Sequence, residues 1–131
     1  MLTKPIAVVI GATSKWQADG RNTHLVHGGD IDDSDMPTAV RWGVGGAIAQ
    51  RFASEGYRVV LTTRNTANAE GLQQAIVDRD QECTIVELDL SSADSISSAF
   101  ATIRESLGDP EVVVFNAGYL EGRDLPPEKE L

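Results

Sequence analysis

Residues 11–50 read GATSKWQADGRNTHLVHGGDIDDSDMPTAVRWGVGGAIAQ, a stretch that opens and closes like a phosphate-cradling loop and holds polar, acidic residues between. Just before it, Ile6 to Ile10 (IAVVI) is an unbroken apolar run closed by Gly11, the pattern of a strand buried on both faces of a parallel sheet. At its far end, Gly43 to Glu55 reads as a helix with Ala47, Ile48 and Phe52 on one face, stopped at Gly56. Strand, glycine turn and helix thus follow one another as in a nucleotide-binding unit. Glycines let a pyrophosphate approach the backbone, and the N-terminus of the helix starting near Gly45 favours its charge.

The same alternation continues along the chain. Tyr57 to Leu61 is a second apolar strand, and Asn65 to Asp80 reads as a helix with Leu72, Ala75 and Ile76 inward, weakened at Gly71 by about 1 kcal/mol relative to alanine. Thr84 to Leu90 is a third strand. Ser92 to Leu107 carries Ile96, Phe100, Ile103 and Leu107 at helical spacing, with Ser92 as cap, Asp94 at the positive end and Gly108 as the stop. A fourth strand, Glu111 to Phe115, leads into Asn116-Ala117-Gly118. Strands alternating with helices imply right-handed crossovers and an α/β fold: a Rossmann-type, doubly wound parallel sheet in three α/β/α layers, truncated after the fourth strand. The domain is expected over residues 1–120 with an inserted acidic loop at 17–42. Glu121 to Leu131, with two consecutive prolines and several charges, reads as a disordered or linker tail.

A chain of 131 residues, 41% of them apolar, suits one domain with one core. Its net charge of −9 argues against duplex nucleic acid or an anionic membrane as partner, since both reward basic patches. The single cysteine, Cys83, excludes an intramolecular disulfide and points to a reducing, cytoplasmic compartment; in a strand it reads as a buried, inert thiol. The apolar run near the N-terminus is too short for a membrane span and reads as the first strand.

Parallel sheets bind ligands beyond the carboxyl ends of their strands. The residues there are Gly11-Ala12-Thr13-Ser14, Thr63-Arg64-Asn65, Asp89-Leu90 and Asn116-Ala117-Gly118, all on one rim. In these motifs the chain resembles the N-terminal, cofactor-binding half of the short-chain dehydrogenase/reductase family. Gly11 matches the first glycine of that family's loop and Gly43-Val44-Gly45 the later pair. Asp89-Leu90 matches its adenine-side aspartate with a following aliphatic residue, and Asn116-Ala117-Gly118 its Asn-Ala-Gly motif. The resemblance covers nearly the whole chain apart from the middle of residues 11–50. It implies an oxidoreductase that passes hydride between a nicotinamide dinucleotide and a carbonyl or alcohol. Thr13, Ser14 and Lys15 then join the cofactor contacts, and Asn116 is cofactor-proximal.

Cofactor choice rests on the end of the second strand, where an acidic residue would bond the ribose hydroxyls and repel a 2′-phosphate. Here Thr63 is followed by Arg64, whose guanidinium grips a phosphate with two hydrogen bonds, so the resemblance implies NADP over NAD. Lys15 adds a second positive charge if the loop closes normally. The same residue pair disfavours a methyltransferase, which would want an acid there.

Family members use a tyrosine acid/base with a lysine four residues later, which lowers the tyrosine pKa. Neither tyrosine here fits: Tyr57 is followed at that position by Leu61 and Tyr119 by Arg123, so no catalytic residue is assigned. The alternative to an enzyme is therefore a catalytically inactive nucleotide-binding or interaction module. Deleting Gln17 to Trp42 leaves GATSKWGVGGAIA, a nearly ordinary family loop, so the interruption is an added segment, either a surface excursion or translated intron-derived sequence. Its Asp30, Asp32, Asp33 and Asp35 lack the glycine and distal glutamate of a calcium loop, and His24 and His27 lack further zinc ligands, so no metal site is assigned. In the family's strand order the outer edge of the fourth strand is covered by a fifth; an uncovered Val112 to Phe115 is expected to drive self-association or pairing with another chain.

Overall fold

Along the chain the elements are β1 (Ile6–Ile10), β2 (Arg21–Asn22), β3 (Ile31–Asp32), α1 (Gly43–Ser54), β4 (Arg58–Thr63), a 3-10 turn (Thr66–Ala69) running into α2 (Glu70–Val77), β5 (Cys83–Glu87), α3 (Ala93–Ser106) and β6 (Val112–Phe115). The computed structural model describes residues 3–12, 21–22, 31–32 and 42–117. Four strands form one parallel sheet in the order β5-β4-β1-β6, with Val8 opposite Val60 on one side and Val113 on the other. β1 is central and all five of its residues are buried, as its unbroken apolar run requires. Alternate side chains feed two cores. Val9, Val59 and Leu61 pack with Ala49 and Ala53 of α1 and Leu72 and Ile76 of α2. Ile6, Val8, Ile10, Val60 and Val86 pack with Ala99 and Ile103 of α3 on the opposite face. This is the three-layer, doubly wound arrangement that the alternation of elements implies.

Several boundaries move, each for a local reason. The second strand, expected over Tyr57 to Leu61, is Arg58–Thr63. Tyr57 instead closes α1: its N–H donates to the Phe52 carbonyl at 3.1 Å and its ring meets Phe52 edge-on, with centroids 5.0 Å apart. The helix expected over Asn65 to Asp80 begins as a 3-10 turn, because the Asn65 side chain accepts from the Ala67 N–H at 3.1 Å, and only Glu70–Val77 is α-helical. The third strand stops at Glu87 instead of Leu90, where Asp89 and Ser91 fold into a turn. The fourth begins at Val112 rather than Glu111. Ala47 is exposed, not inward; the face that α1 buries runs through Gly45, Gly46, Ala49, Gln50 and Ala53, with Ile48 and Phe52 at its margin. Ser92 caps α3 as expected, accepting from the Ser95 N–H.

Inside the inserted segment, the described residues pair antiparallel, Arg21 opposite Asp32 and Asn22 opposite Ile31. Its last residue, Trp42, belongs to the core beneath α1 and α2. A Cβ at Gly46 would collide with the Trp42 Cβ, so this glycine lets the indole lie against the helix. Excision of residues 17–42 leaves Trp16 as the residue preceding Gly43. Cys83 is partly buried and desolvation pushes its thiol up to about 12, which keeps the unreactive thiol form at neutral pH. No helix among the described residues is long and apolar enough to cross a membrane.

Candidate functional site

The carboxyl ends of β1, β4, β5 and β6 meet on one rim, and each brings a different chemical group. After β1, Gly11 adopts φ +79°, and a Cβ there would lie 2.6 Å from the Ala117 Cα, so two backbones touch where only hydrogen fits. The Gly11 N–H donates to the Thr62 hydroxyl at 3.3 Å, and the Asn116 side-chain amide donates to the Gly11 carbonyl at 3.1 Å. Ala12 donates its N–H to the Thr62 carbonyl at 3.1 Å, while the N–H groups of Asn116 and Ala117 both reach the Ile10 carbonyl at 2.9 Å. The first glycine turn is thus held from both neighbouring strands.

The helix α1 returns to this turn in spite of the interruption. A Cβ at Gly45 would sit 2.6 Å from the Gly11 carbonyl oxygen, 2.7 Å from that of Ala12 and 2.8 Å from the Asn116 Nδ2. Gly45 therefore packs against Gly11, and residues 13–41 do not keep the two parts of the glycine motif apart. Gly43 has φ +73° with open space around it, and Val44 is 69% exposed. Trp42, at the N-cap, makes no side-chain cap bond, and α1 has no acidic residue in its first turn. Among the described residues, no side chain accepts a hydrogen bond from the first N–H groups of α1. In contrast, α3 is capped by Ser92 and carries Asp94 in its first turn.

At the end of β4, Thr63 is buried and its hydroxyl donates to the Asn65 carbonyl and accepts the Asn65 N–H, which turns the chain and leaves Arg64 exposed. The Arg64 guanidinium has no hydrogen bond or ion pair with any described residue, and its charge acts through space on Asp89. After β5, Asp89 Oδ1 accepts from the Ser91 hydroxyl at 2.6 Å and the Ser91 N–H at 2.9 Å. These two bonds, the hydroxyl first, hold the carboxyl below its ordinary value against a small desolvation cost, with Arg64 adding to the lowering. Leu90 beside it is 38% exposed. Of the residues expected at the site, Gly11, Gly43, Val44, Gly45, Thr63, Arg64, Asp89, Leu90, Asn116 and Ala117 stand on or beside this rim; Thr13, Ser14, Lys15 and Gly118 lie outside the described residues. Sequence reasoning did not single out Thr62 or Ser91; the signal for Thr62 is a hydroxyl ending an apolar strand, and for Ser91 a serine two residues after an aspartate.

The lowered Asp89 pKa has a definite sign. Its contribution to stability is present above the unfolded-state value and is lost as pH falls through the folded one, so it changes only in acid and not near neutrality. Ser91→Ala removes the larger of the two bonds, and the Asp89 carboxyl is expected to titrate closer to an ordinary aspartate by NMR. An unchanged titration would contradict the assigned cause.

A family model described as Enoyl-(Acyl carrier protein) reductase matches residues 38–127. The chain is 34% identical over 88 residues to the 3-oxoacyl-(acyl-carrier-protein) reductase MabA of Mycobacterium bovis, covering 67% of this chain and 31% of that protein. It is 33% identical over 103 residues to a 3beta-hydroxysteroid dehydrogenase of Mediterraneibacter gnavus, covering 78% and 37% respectively. The chain thus spans about a third of the length of these curated relatives. Among solved structures it is similar to a metagenomic short-chain oxidoreductase in complex with NADP, with a TM-score of 0.65 at 28% identity over 90% of this chain and 41% of that one. An actinorhodin polyketide ketoreductase with NADPH shares the fold, with a TM-score of 0.63 at 23% identity over 91% of this chain and 36% of that one.

Proposed function

The chain belongs to the short-chain dehydrogenase/reductase family, and we propose that its strand-end rim binds NADP(H) as the cofactor-binding part of an oxidoreductase acting on a carbonyl or alcohol. The single observation that carries this reading is the packing of Gly45 onto Gly11 and Ala12, which keeps the phosphate cradle together across the insertion. When bound, the nicotinamide supplies the hydride. The chain's own residues bind and orient: Gly11 and Gly43 leave room at the backbone, and the N-terminus of α1, which no side chain among the described residues caps, offers N–H groups to the pyrophosphate. Arg64 takes the 2′-phosphate, Asp89 and Leu90 flank the adenine, and Asn116 braces the turn from behind. Thr13, Ser14, Lys15, Val44, Thr63, Ala117 and Gly118 complete the proposed contacts. The NADP and NADPH held by the two structurally similar proteins support this choice of cofactor.

Calorimetric titration of NADPH and NADH into the intact chain and into a version lacking residues 17–42 tests the reading. The intact chain is expected to bind NADPH more tightly than NADH. Binding only after excision would mark the insert as a block at the cradle, and binding by neither version would overturn the reading.

A second reading, a nucleotide-binding module without proton-transfer chemistry of its own, is favoured by the position of Tyr57. This tyrosine lies at the start of β4, the end of the sheet opposite the rim, packed on Phe52. No catalytic residue is assigned within the chain. The proposed setting is the cytoplasm, a reducing compartment that suits a chain with a single cysteine. The outer edge of β6 pairs with no strand among the described residues, and its Val113 and Phe115 are 50% and 67% exposed. Self-association through this edge is the proposed consequence, and a concentration-independent monomer in sedimentation would contradict it.

A further inference from the structure

Thr62 is fully buried on the α3 side of β4, in line with Val60, yet it carries a hydroxyl. That hydroxyl donates to the Val9 carbonyl at 3.1 Å and accepts the Gly11 N–H at 3.3 Å, while the Thr62 carbonyl takes the Ala12 N–H. On the other flank Asn116 holds the Gly11 carbonyl. Both polar groups of Gly11 are thus satisfied from outside its own loop, by side chains from β4 and from the segment after β6. A phosphate turn is ordinarily shaped by the few residues that follow its first glycine, and here those residues lead into a long insertion. We propose that Thr62 is a positioning residue for the cofactor cradle: its hydroxyl holds Gly11 in its left-handed conformation, so that Gly45 finds the same seat whatever the chain does between them. The inference rests on the reading of the rim as an NADP(H) site. It adds that the cradle is built from the sheet rather than from the loop.

The test uses Thr62→Val, which keeps the shape and removes the hydroxyl, and Thr62→Ser, which keeps the hydroxyl. Each is titrated with NADPH and with adenosine 2′-phosphate, which carries the adenosine and 2′-phosphate but no pyrophosphate. Thr62→Val is expected to bind NADPH about tenfold more weakly, the part-buried Gly11 N–H having lost its acceptor. Its binding of adenosine 2′-phosphate stays within about twofold, and Thr62→Ser stays close to the parent for both ligands. Equal weakening of both ligands, or no weakening by Thr62→Val, overturns the proposal while parental NADPH binding leaves the reading of the rim intact. Absence of NADPH binding by the parent overturns that reading as well. Hydrogen exchange of the Gly11 amide in the unsubstituted chain decides the matter independently of the variants' folding: protection comparable to the β1 ladder is expected, and exchange at the rate of an open turn overturns the clamp.

Discussion

Gly11→Ala is expected to destabilise the chain by about 2–5 kcal/mol, combining the cost of φ +79° for a residue with a Cβ and an overlap with Ala117 at 2.6 Å. The overlap involves the Ala117 backbone, which is pinned through its N–H to the Ile10 carbonyl and has little room to retreat. Against a total stability of about 5–15 kcal/mol for an ordinary domain, this is a large fraction. Urea denaturation with an unchanged slope is the measurement. Gly56→Ala supplies the control: Gly56 has φ +93° with nothing within 4 Å of its missing Cβ, so only the backbone cost of about 1–2 kcal/mol applies. Equal losses in the two variants would mean that the contact between Gly11 and Ala117 is not tight.

Arg64→Ala is expected to weaken NADPH binding by about 10–100-fold and to leave NADH binding nearly unchanged, since charge-assisted hydrogen bonds to the 2′-phosphate are the only contacts NADH lacks. The guanidinium is free for this task among the described residues: the Thr63-Asn65 turn points it outward and no carboxylate engages it at ion-pair distance. Removing it costs the fold little, because it is exposed and has no bond to any other described residue. Arg64→Lys is expected to fall between, keeping the charge and losing the planar fork. Equal loss of both cofactors in calorimetry would show that Arg64 acts on the shape of the rim and not on the phosphate.

The alternation of strands and helices, the burial of the Ile6–Ile10 run on both faces, the Ser92 cap and the common rim of the strand ends were legible in the sequence. These are local properties: the periodicity of apolar residues, the position of a glycine and the reach of a hydroxyl to a nearby N–H are written within a few residues. Element limits were less legible, because Tyr57 chose Phe52 and Asn65 chose Ala67 over the regular ladder or helix. The inward face of α1 excludes Ala47, because glycines at 45 and 46 bring the helix close to Gly11 and Trp42 and so set its rotation. That Gly45 packs against Gly11 from across the insertion was not legible in the sequence. Gly45 meets Gly11 because β4 and β6 flank β1 in parallel register, which brings Thr62 and Asn116 to either side of one glycine. Such a contact depends on how distant strands are aligned, and no window of local sequence contains it.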